Sequence, residues 1–152
     1  NLVKVPGLDG SGKMGKSEAE GNAIFLRENE TEIWNKVKKA KTDTGPTQPN
    51  QEKSPEVQNI FMLLDLVSSK ETVQHFEDAY NNCSIRYGDL KKQLSDDIAL
   101  FTKPFREKIT ELENNPTYIN KIAKDGAEKA RISARATLDG VQEIMGLKSI
   151  WK

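Results

Sequence analysis

The sequence predicts an all-α fold, a helical bundle led in by a short strand and a glycine-rich loop. Three observations predict it. From residue 31 onward apolar residues return every three or four positions, the period of a helix face. Serine, threonine or Asn-Pro stands where these stretches begin, and asparagine or glycine where they end. Ahead of them, Leu2-Val3-Lys4-Val5 alternates as a strand does and runs into four glycines within Gly7 to Gly15.

In chain order, Pro6-Gly7 ends the first strand and Asp9-Gly10 makes a turn. Gly21-Asn22 breaks any helix, and Ala23-Ile24-Phe25-Leu26 is expected as a second strand or an extended packing segment. Thr31 can cap the first helix, which places Ile33, Val37 and Ala40 on one face, Trp34 beside them, and Lys36, Lys38, Lys39 and Lys41 outside it. Residues Thr42 to Lys53 are rich in Pro, Gly, Thr, Gln and Asn and read as a loop. Ser54-Pro55-Glu56 starts the next helix with a cap, a first-turn proline and an acid near the positive helix end. Val57, Ile60, Phe61 and Leu64 form its face, and Met62, Leu63 and Leu66 widen it toward burial on most sides.

Ser68 with Glu71 reads as a capping box for a helix carrying Val73, Phe76 and Tyr80 and ending at Asn81-Asn82. A long helix follows from about Tyr87 to Leu112, with Leu90, Leu94, Ile98, Phe101, Phe105, Ile109 and Leu112 inward and a kink expected at Pro104. Asn115-Pro116 begins the last helix, which runs to about Met145 and stops at Gly146. Its inner face is expected to hold Ile119, Ile122, Leu138, Val141 and Met145, with Ala123, Ala127, Ala130 and Ala134 allowing close approach.

Composition narrows the function classes. The 152 residues are 30% charged and 36% hydrophobic with zero formal net charge, enough for one domain with a modest core and unlike a disordered chain. No apolar run approaches the roughly 20 residues of a membrane span, and the start has no signal-peptide pattern. Cys83 is the only cysteine, which excludes an internal disulfide and fits a reducing compartment. There is no His and Cys spacing for a metal, and His75 sits on a polar helix face. The chain opens on Asn1 inside an alternating stretch, so a fragment of a longer protein is expected.

The chemistry-bearing stretch is Gly10 to Ser17, GSGKMGKS. Gly10, four residues, then Gly15-Lys16-Ser17 matches the phosphate-binding G-x-x-x-x-G-K-[ST] pattern literally. That motif requires a parallel sheet with a metal-holding acid at a later strand end. Here Glu18-Ala19-Glu20-Gly21 is a poor helix, and after Leu26 the pattern is helix upon helix.

Lys13-Met14-Gly15-Lys16-Ser17 resembles instead the KMSKS signature of class I aminoacyl-tRNA synthetases, with Gly15 in place of the first serine. Further segments resemble the bacterial tryptophanyl-tRNA synthetases along nearly the whole chain. They are Val5 to Gly10, Gly21-Asn22-Ala23-Ile24, Lys38-Lys39-Ala40 with Thr42-Asp43-Thr44-Gly45, and Pro55 to Leu66. Tyr87-Gly88-Asp89-Leu90-Lys91, Pro104-Phe105, Asp125 to Arg131 and Met145-Gly146-Leu147 continue the match.

The resemblance implies the C-terminal part of such an enzyme. Residues 1–30 would be the remnant of a Rossmann catalytic domain, and 31–152 the helical anticodon-binding domain. Lys13 and Lys16 would be the catalytic cations on the ATP phosphates. Met14, Gly15 and Ser17 would supply the same loop's adenosine and backbone contacts, and Val5 would bring backbone to the adenine. The implied parent is a cytoplasmic ligase, a homodimer, joining tryptophan to tRNA(Trp) with ATP and Mg²⁺. Its HIGH-type signature and amino acid pocket lie outside this chain, so the fragment alone is expected to be inactive and to bind no cofactor.

Cations available to tRNA on the last two helices are Lys103, Arg106, Lys121, Lys124, Lys129, Arg131 and Arg135. Glu107, Glu111, Asp125 and Glu128 stand near enough to pair with several of them. A tyrosyl-tRNA synthetase fragment, a P-loop NTPase and a non-catalytic helical interaction module are the alternatives. Cut from the domain it closes on, the Gly10 to Ser17 loop is expected to hang as a mobile arm.

Overall fold

The computed structural model describes residues 4–10, 13–15 and 21–147. All regular structure among them is helical: α1 (Glu30–Val37), α2 (Pro55–Val67), α3 (Lys70–Asn81), α4 (Tyr87–Glu113) and α5 (Pro116–Ile144). The strand expected over Leu2 to Val5 lies partly outside the described residues. Its described part, Lys4 and Val5, and the run Ala23 to Leu26 build no ladder, and Leu26 sits in a turn in which the Glu28 N–H bonds the Phe25 carbonyl at 3.0 Å. The reason is local: Val5 exchanges one backbone bond, from the Met14 N–H at 2.8 Å, and a single bond is not a sheet.

The chain forms two compact units, Asn1–Glu107 and Lys108–Lys152. The first is built on one core. Ile33, Val37 and Ala40 from α1 and its exit turn meet Val57, Ile60, Phe61, Leu63 and Leu64 of α2, Phe76 and Tyr80 of α3, and Leu90, Leu94, Ile98 and Ala99 of α4. Leu8 belongs to the same core at 4% exposure, and Met14 and Ile24 pack against it. The lead-in is therefore no free arm over these residues, because burying Leu8 draws the neighbouring backbone into the core.

The caps refine the expected helix starts. Asn29, not Thr31, caps α1, in a reciprocal box: Glu32 N–H donates to Asn29 at 3.0 Å and Asn29 N–H to the Glu32 carboxylate at 2.8 Å. Ser69, not Ser68, caps α3. Ser68 instead ends α2 and donates its hydroxyl to Asp97 of α4. Met62 and Leu66, one turn apart on α2, are 50% and 42% exposed, so α2 buries one face and not most of its circumference. Phe101 and Phe105 on α4 are likewise open and stack on each other at 6.1 Å.

α4 continues through Pro104. A proline at that position removes one helical hydrogen bond and crowds the carbonyl four residues back. Arg106 donates to the Ala99 carbonyl at 2.8 Å and to the Thr102 hydroxyl, which itself bonds the Ile98 carbonyl at 2.8 Å. These side chains serve the polar backbone on the N-terminal side of the proline.

In the second unit, Asn115 caps α5 through the Tyr118 N–H at 3.1 Å, and Gly146, at φ +68°, stops it. No residue of α5 is buried. The stripe expected as its inner face is open, because a helix cannot cover its own apolar face and needs a neighbour to do so.

Two segments set 44 residues apart meet at the α1–α2 linker. Tyr87, at the start of α4, donates its hydroxyl to Asp43 at 2.5 Å. Burial pushes the Asp43 carboxyl up, but hydrogen bonds from Tyr87, Ser54 and the Gly45 N–H outweigh it and hold the group below the usual value. Burial and the same carboxylate push Tyr87 well above the ordinary tyrosine value.

Asp43 is thus depressed in the fold, so its stabilisation is complete above about pH 4 and fades as pH falls through the lowered value. Tyr87 is raised, so its contribution holds below about pH 10 and fades above it. Tyr87→Phe should cost about 1–2 kcal/mol in urea unfolding at neutral pH and flatten both pH limbs.

Cys83 follows α3 at φ +56°, with the Ser84 N–H bonding the Ala79 carbonyl at 2.8 Å. This is a helix stop that favours glycine. Cys83→Gly should raise stability by about 1 kcal/mol, read from the same denaturation curves.

Candidate functional site

The Asp9 and Lys13 ends of the glycine-lysine loop are held by the side chain of Asn22, which the sequence offered as a helix breaker and as part of the Gly21 to Ile24 family-like segment. Asn22 is 1% exposed. Its Oδ1 accepts the Asp9 N–H at 3.2 Å and its Nδ2 donates to the Lys13 carbonyl at 3.3 Å. Its own backbone carbonyl accepts the Leu8 N–H at 3.2 Å. One residue therefore ties Leu8, Asp9 and Lys13 to the segment behind the loop. The signal in the sequence was Asn after Gly21, whose φ of +85° turns the chain so that Asn22 points inward.

Further bonds complete the base. The Met14 N–H reaches Val5, the Ile24 N–H reaches the Met14 thioether at 3.3 Å, and the Lys41 N–H reaches the Leu8 carbonyl at 3.2 Å. Lys36 of α1, expected on the solvated face, donates to the Ala23 carbonyl at 2.7 Å, pairs with Glu28 and lies 4.7 Å from the Phe25 ring centre. Its charge fastens residues 23–28 to α1.

The structure thus brings together Val5, Lys13, Met14 and Gly15 of the expected ATP-binding set. Lys13 is exposed, Met14 and Gly15 are half-buried, and the Val5 carbonyl is engaged by Met14. Lys16 and Ser17 lie outside the described residues. Behind the base is a cavity of about 620 Å³ whose walls include Asp9, Asn22, Glu28 and Lys39. Glu28 is buried there, with one carboxylate oxygen on Lys36 and the other, Oε2, without a hydrogen-bond partner. Among the described residues no group of three His, Cys, Asp or Glu side chains could hold a metal ion.

The expected tRNA cations are scattered in their engagements. Lys103 stands 3.9 Å from Glu107, Arg131 pairs with Glu128 at 3.1 Å and Arg135 with Asp139 at 2.9 Å. All are exposed pairs, which contribute little and exchange readily for a phosphate. Arg106 is turned onto its own helix backbone. Lys121, Lys124 and Lys129 are exposed and make no ion pair among the described residues. No described helix is long and apolar enough to cross a membrane.

The Thr42 to Gly45 turn and the Tyr87 to Lys91 segment, far apart in sequence, are in contact. Besides the Tyr87–Asp43 bond, Lys91 donates to the Ala40 carbonyl at 2.7 Å and to Thr42 at 3.4 Å. Burial lowers the Lys91 pKa, as expected for an ammonium drawn from water onto the end of α1's exit turn.

Gly10 has φ +85°, and a Cβ there would stand 3.2 Å from Glu56 Cγ on α2. Gly10→Ala should destabilise by about 1–2 kcal/mol, and Glu56→Ala should not restore it, because the backbone conformation itself disfavours a side chain. Thermal melts of the single and double variants check this.

Comparison with known proteins follows the same residues. The family model described as tRNA synthetases class I (W and Y) matches residues 4–103. A protein of Porphyromonas gingivalis named tryptophan–tRNA ligase is 54% identical over 96% of this chain and 44% of its own length. One of the same name from Chlamydia caviae is 30% identical over 99% of this chain and 44% of its own. Among solved structures, tryptophanyl-tRNA synthetase from Campylobacter jejuni complexed with ADP and tryptophan superposes with a TM-score of 0.76 at 26% identity, over 96% of this chain and 44% of that one. The chain thus spans about 44% of the length of the curated relatives it matches.

Proposed function

The chain belongs to the class I tRNA synthetases (W and Y), and we propose that it is the part of a tryptophan–tRNA ligase that carries the phosphate-closing loop and the anticodon-reading helices. The observation that carries this reading is the sequence Lys13-Met14-Gly15-Lys16-Ser17, in a chain 54% identical to a tryptophan–tRNA ligase, with the Lys13 and Met14 backbone bonded to Asn22 and Val5. The names of the relatives favour tryptophan over tyrosine as the amino acid. In role, residues 1–30 serve ATP and 31–152 serve tRNA(Trp), although Leu8 shares its core with the helices.

In the proposed reaction the tryptophan carboxylate attacks the α-phosphate of ATP. The bond to the β-phosphate breaks, pyrophosphate leaves, and the aminoacyl group of the adenylate then passes to tRNA. Lys13 and Lys16 hold the phosphates on which negative charge builds, and their cations count most as the leaving group separates. Gly15 adds backbone freedom between them without removing either charge. Met14, Ser17 and the Val5 backbone line the nucleotide. Mg²⁺ is read as travelling with the ATP. The parent enzyme is read as a cytoplasmic homodimer, and the tRNA surface as Lys103, Arg106, Lys124, Lys129, Arg131 and Arg135.

In the full-length enzyme that carries this chain, Lys13→Ala and Lys16→Ala should each slow tryptophan-dependent pyrophosphate exchange by roughly 100- to 1,000-fold. Unchanged exchange would refute the loop's role. Labelled tRNA(Trp) should bind with log affinity falling linearly against log salt and should weaken when the anticodon is changed. Salt-independent binding blind to the anticodon would instead favour a helical interaction module.

A further inference from the structure

Asn22 bonds to the main chain on either side of the loop, at Leu8, Asp9 and Lys13. Lys13 has to present its ammonium at a fixed place while its own side chain is exposed and flexible. Its backbone is another matter. The Lys13 carbonyl is held by Asn22 Nδ2 at 3.3 Å, and the next residue's N–H is held by Val5 at 2.8 Å. The other end of the turn is held by the same carboxamide, through the Asp9 N–H at 3.2 Å, and by the Asn22 backbone through Leu8. Leu8 is in the core, so the frame to which Lys13 is referenced is the core itself.

We propose that Asn22 is a positioning residue for the phosphate-binding step: its carboxamide bridges the Asp9 N–H and the Lys13 carbonyl and so fixes where the Lys13 main chain stands. The inference rests on the synthetase reading of the loop. It extends that reading to a buried side chain that does not touch the nucleotide.

The chemistry limits what can replace it. Asparagine offers an acceptor and two donors on one planar group, which suits a turn that presents an N–H on one side and a C=O on the other. Asn22→Ser keeps a hydroxyl but is too short to span both. Asn22→Ala removes both carboxamide bonds, to the Asp9 N–H and the Lys13 carbonyl. A lysine whose anchor is displaced by an ångström loses its alignment with the departing pyrophosphate, at a rate cost of roughly 10- to 100-fold.

The test is a double-mutant cycle in pyrophosphate exchange, using the full-length enzyme. Asn22→Ser and Asn22→Ala should each lower kcat roughly 10- to 100-fold with the KM for tryptophan unchanged. Each combined with Lys13→Ala should be no slower than Lys13→Ala alone, because a misplaced lysine and a missing one fail in the same way. Multiplicative losses would mean that Asn22 acts only on overall folding and would overturn the proposal, as would a full rate in both Asn22 variants. Should Asn22→Ala fail to fold, Asn22→Ser carries the cycle. In that variant hydrogen exchange at Asp9 and Met14 should quicken while the α2–α4 core amides stay protected, and unchanged exchange at Asp9 would also overturn it. A normal rate in Lys13→Ala itself sinks the loop assignment first, whereas a slow Lys13→Ala beside fast Asn22 variants sinks only the Asn22 inference.

Discussion

Burial of Leu8 is the constraint on which the first unit depends. A side chain at 4% exposure cannot enter the core without its backbone, and buried N–H and C=O groups must find partners. The partners come from three directions: Asn22 behind the loop, Lys41 beyond α1, and Val5 ahead of the turn. Leu8, Asp9, Lys13 and Met14 are thereby tied to the helical core.

A related pattern recurs at two places where irregular chain meets a helix. Lysine side chains reach back to carbonyls at segment ends, Lys36 to Ala23 and Lys91 to Ala40. Each covers a group that the local backbone leaves open, and each sacrifices hydration of an ammonium to do so. For Lys91 the lowered pKa registers that sacrifice. For Lys36 the buried Glu28 carboxylate and the Phe25 ring supply compensation. Charged residues that look like solvated surface in a helical pattern are here the fasteners between elements.

That is also why the sequence was legible in some places and opaque in others. The i, i+3, i+4 recurrence of Ile33 and Val37, of Val57 to Leu64, and of Leu90 to Ile98 located the helices and most of the core, because those faces are set by the helix period. Caps slipped by one or two residues where neighbours such as Ser68 and Ser69, or Asn29 and Thr31, are all competent. Met62, Leu66 and the α5 stripe were assigned to burial on pattern, but burial requires a facing element and no pattern within one helix supplies it. The signature lysines were read from the resemblance of Lys13 to Ser17 to the KMSKS motif. The role of Asn22 was not legible, since it is defined by partners nine and thirteen residues away that only the folded turn brings to it.

The pairing of Tyr87 with Asp43 and of Lys91 with Ala40 bears on how the molecule opens. These bonds span 44 and 51 residues, and they join the irregular linker after α1 to the first turns of α4. Loosening the linker gives up both long-range bonds, so it is coupled to the docking of that end of α4. The two form a single cooperative opening unit, in which an irregular segment inherits the slow, high-energy breathing of a core helix instead of the rapid fraying of a surface loop.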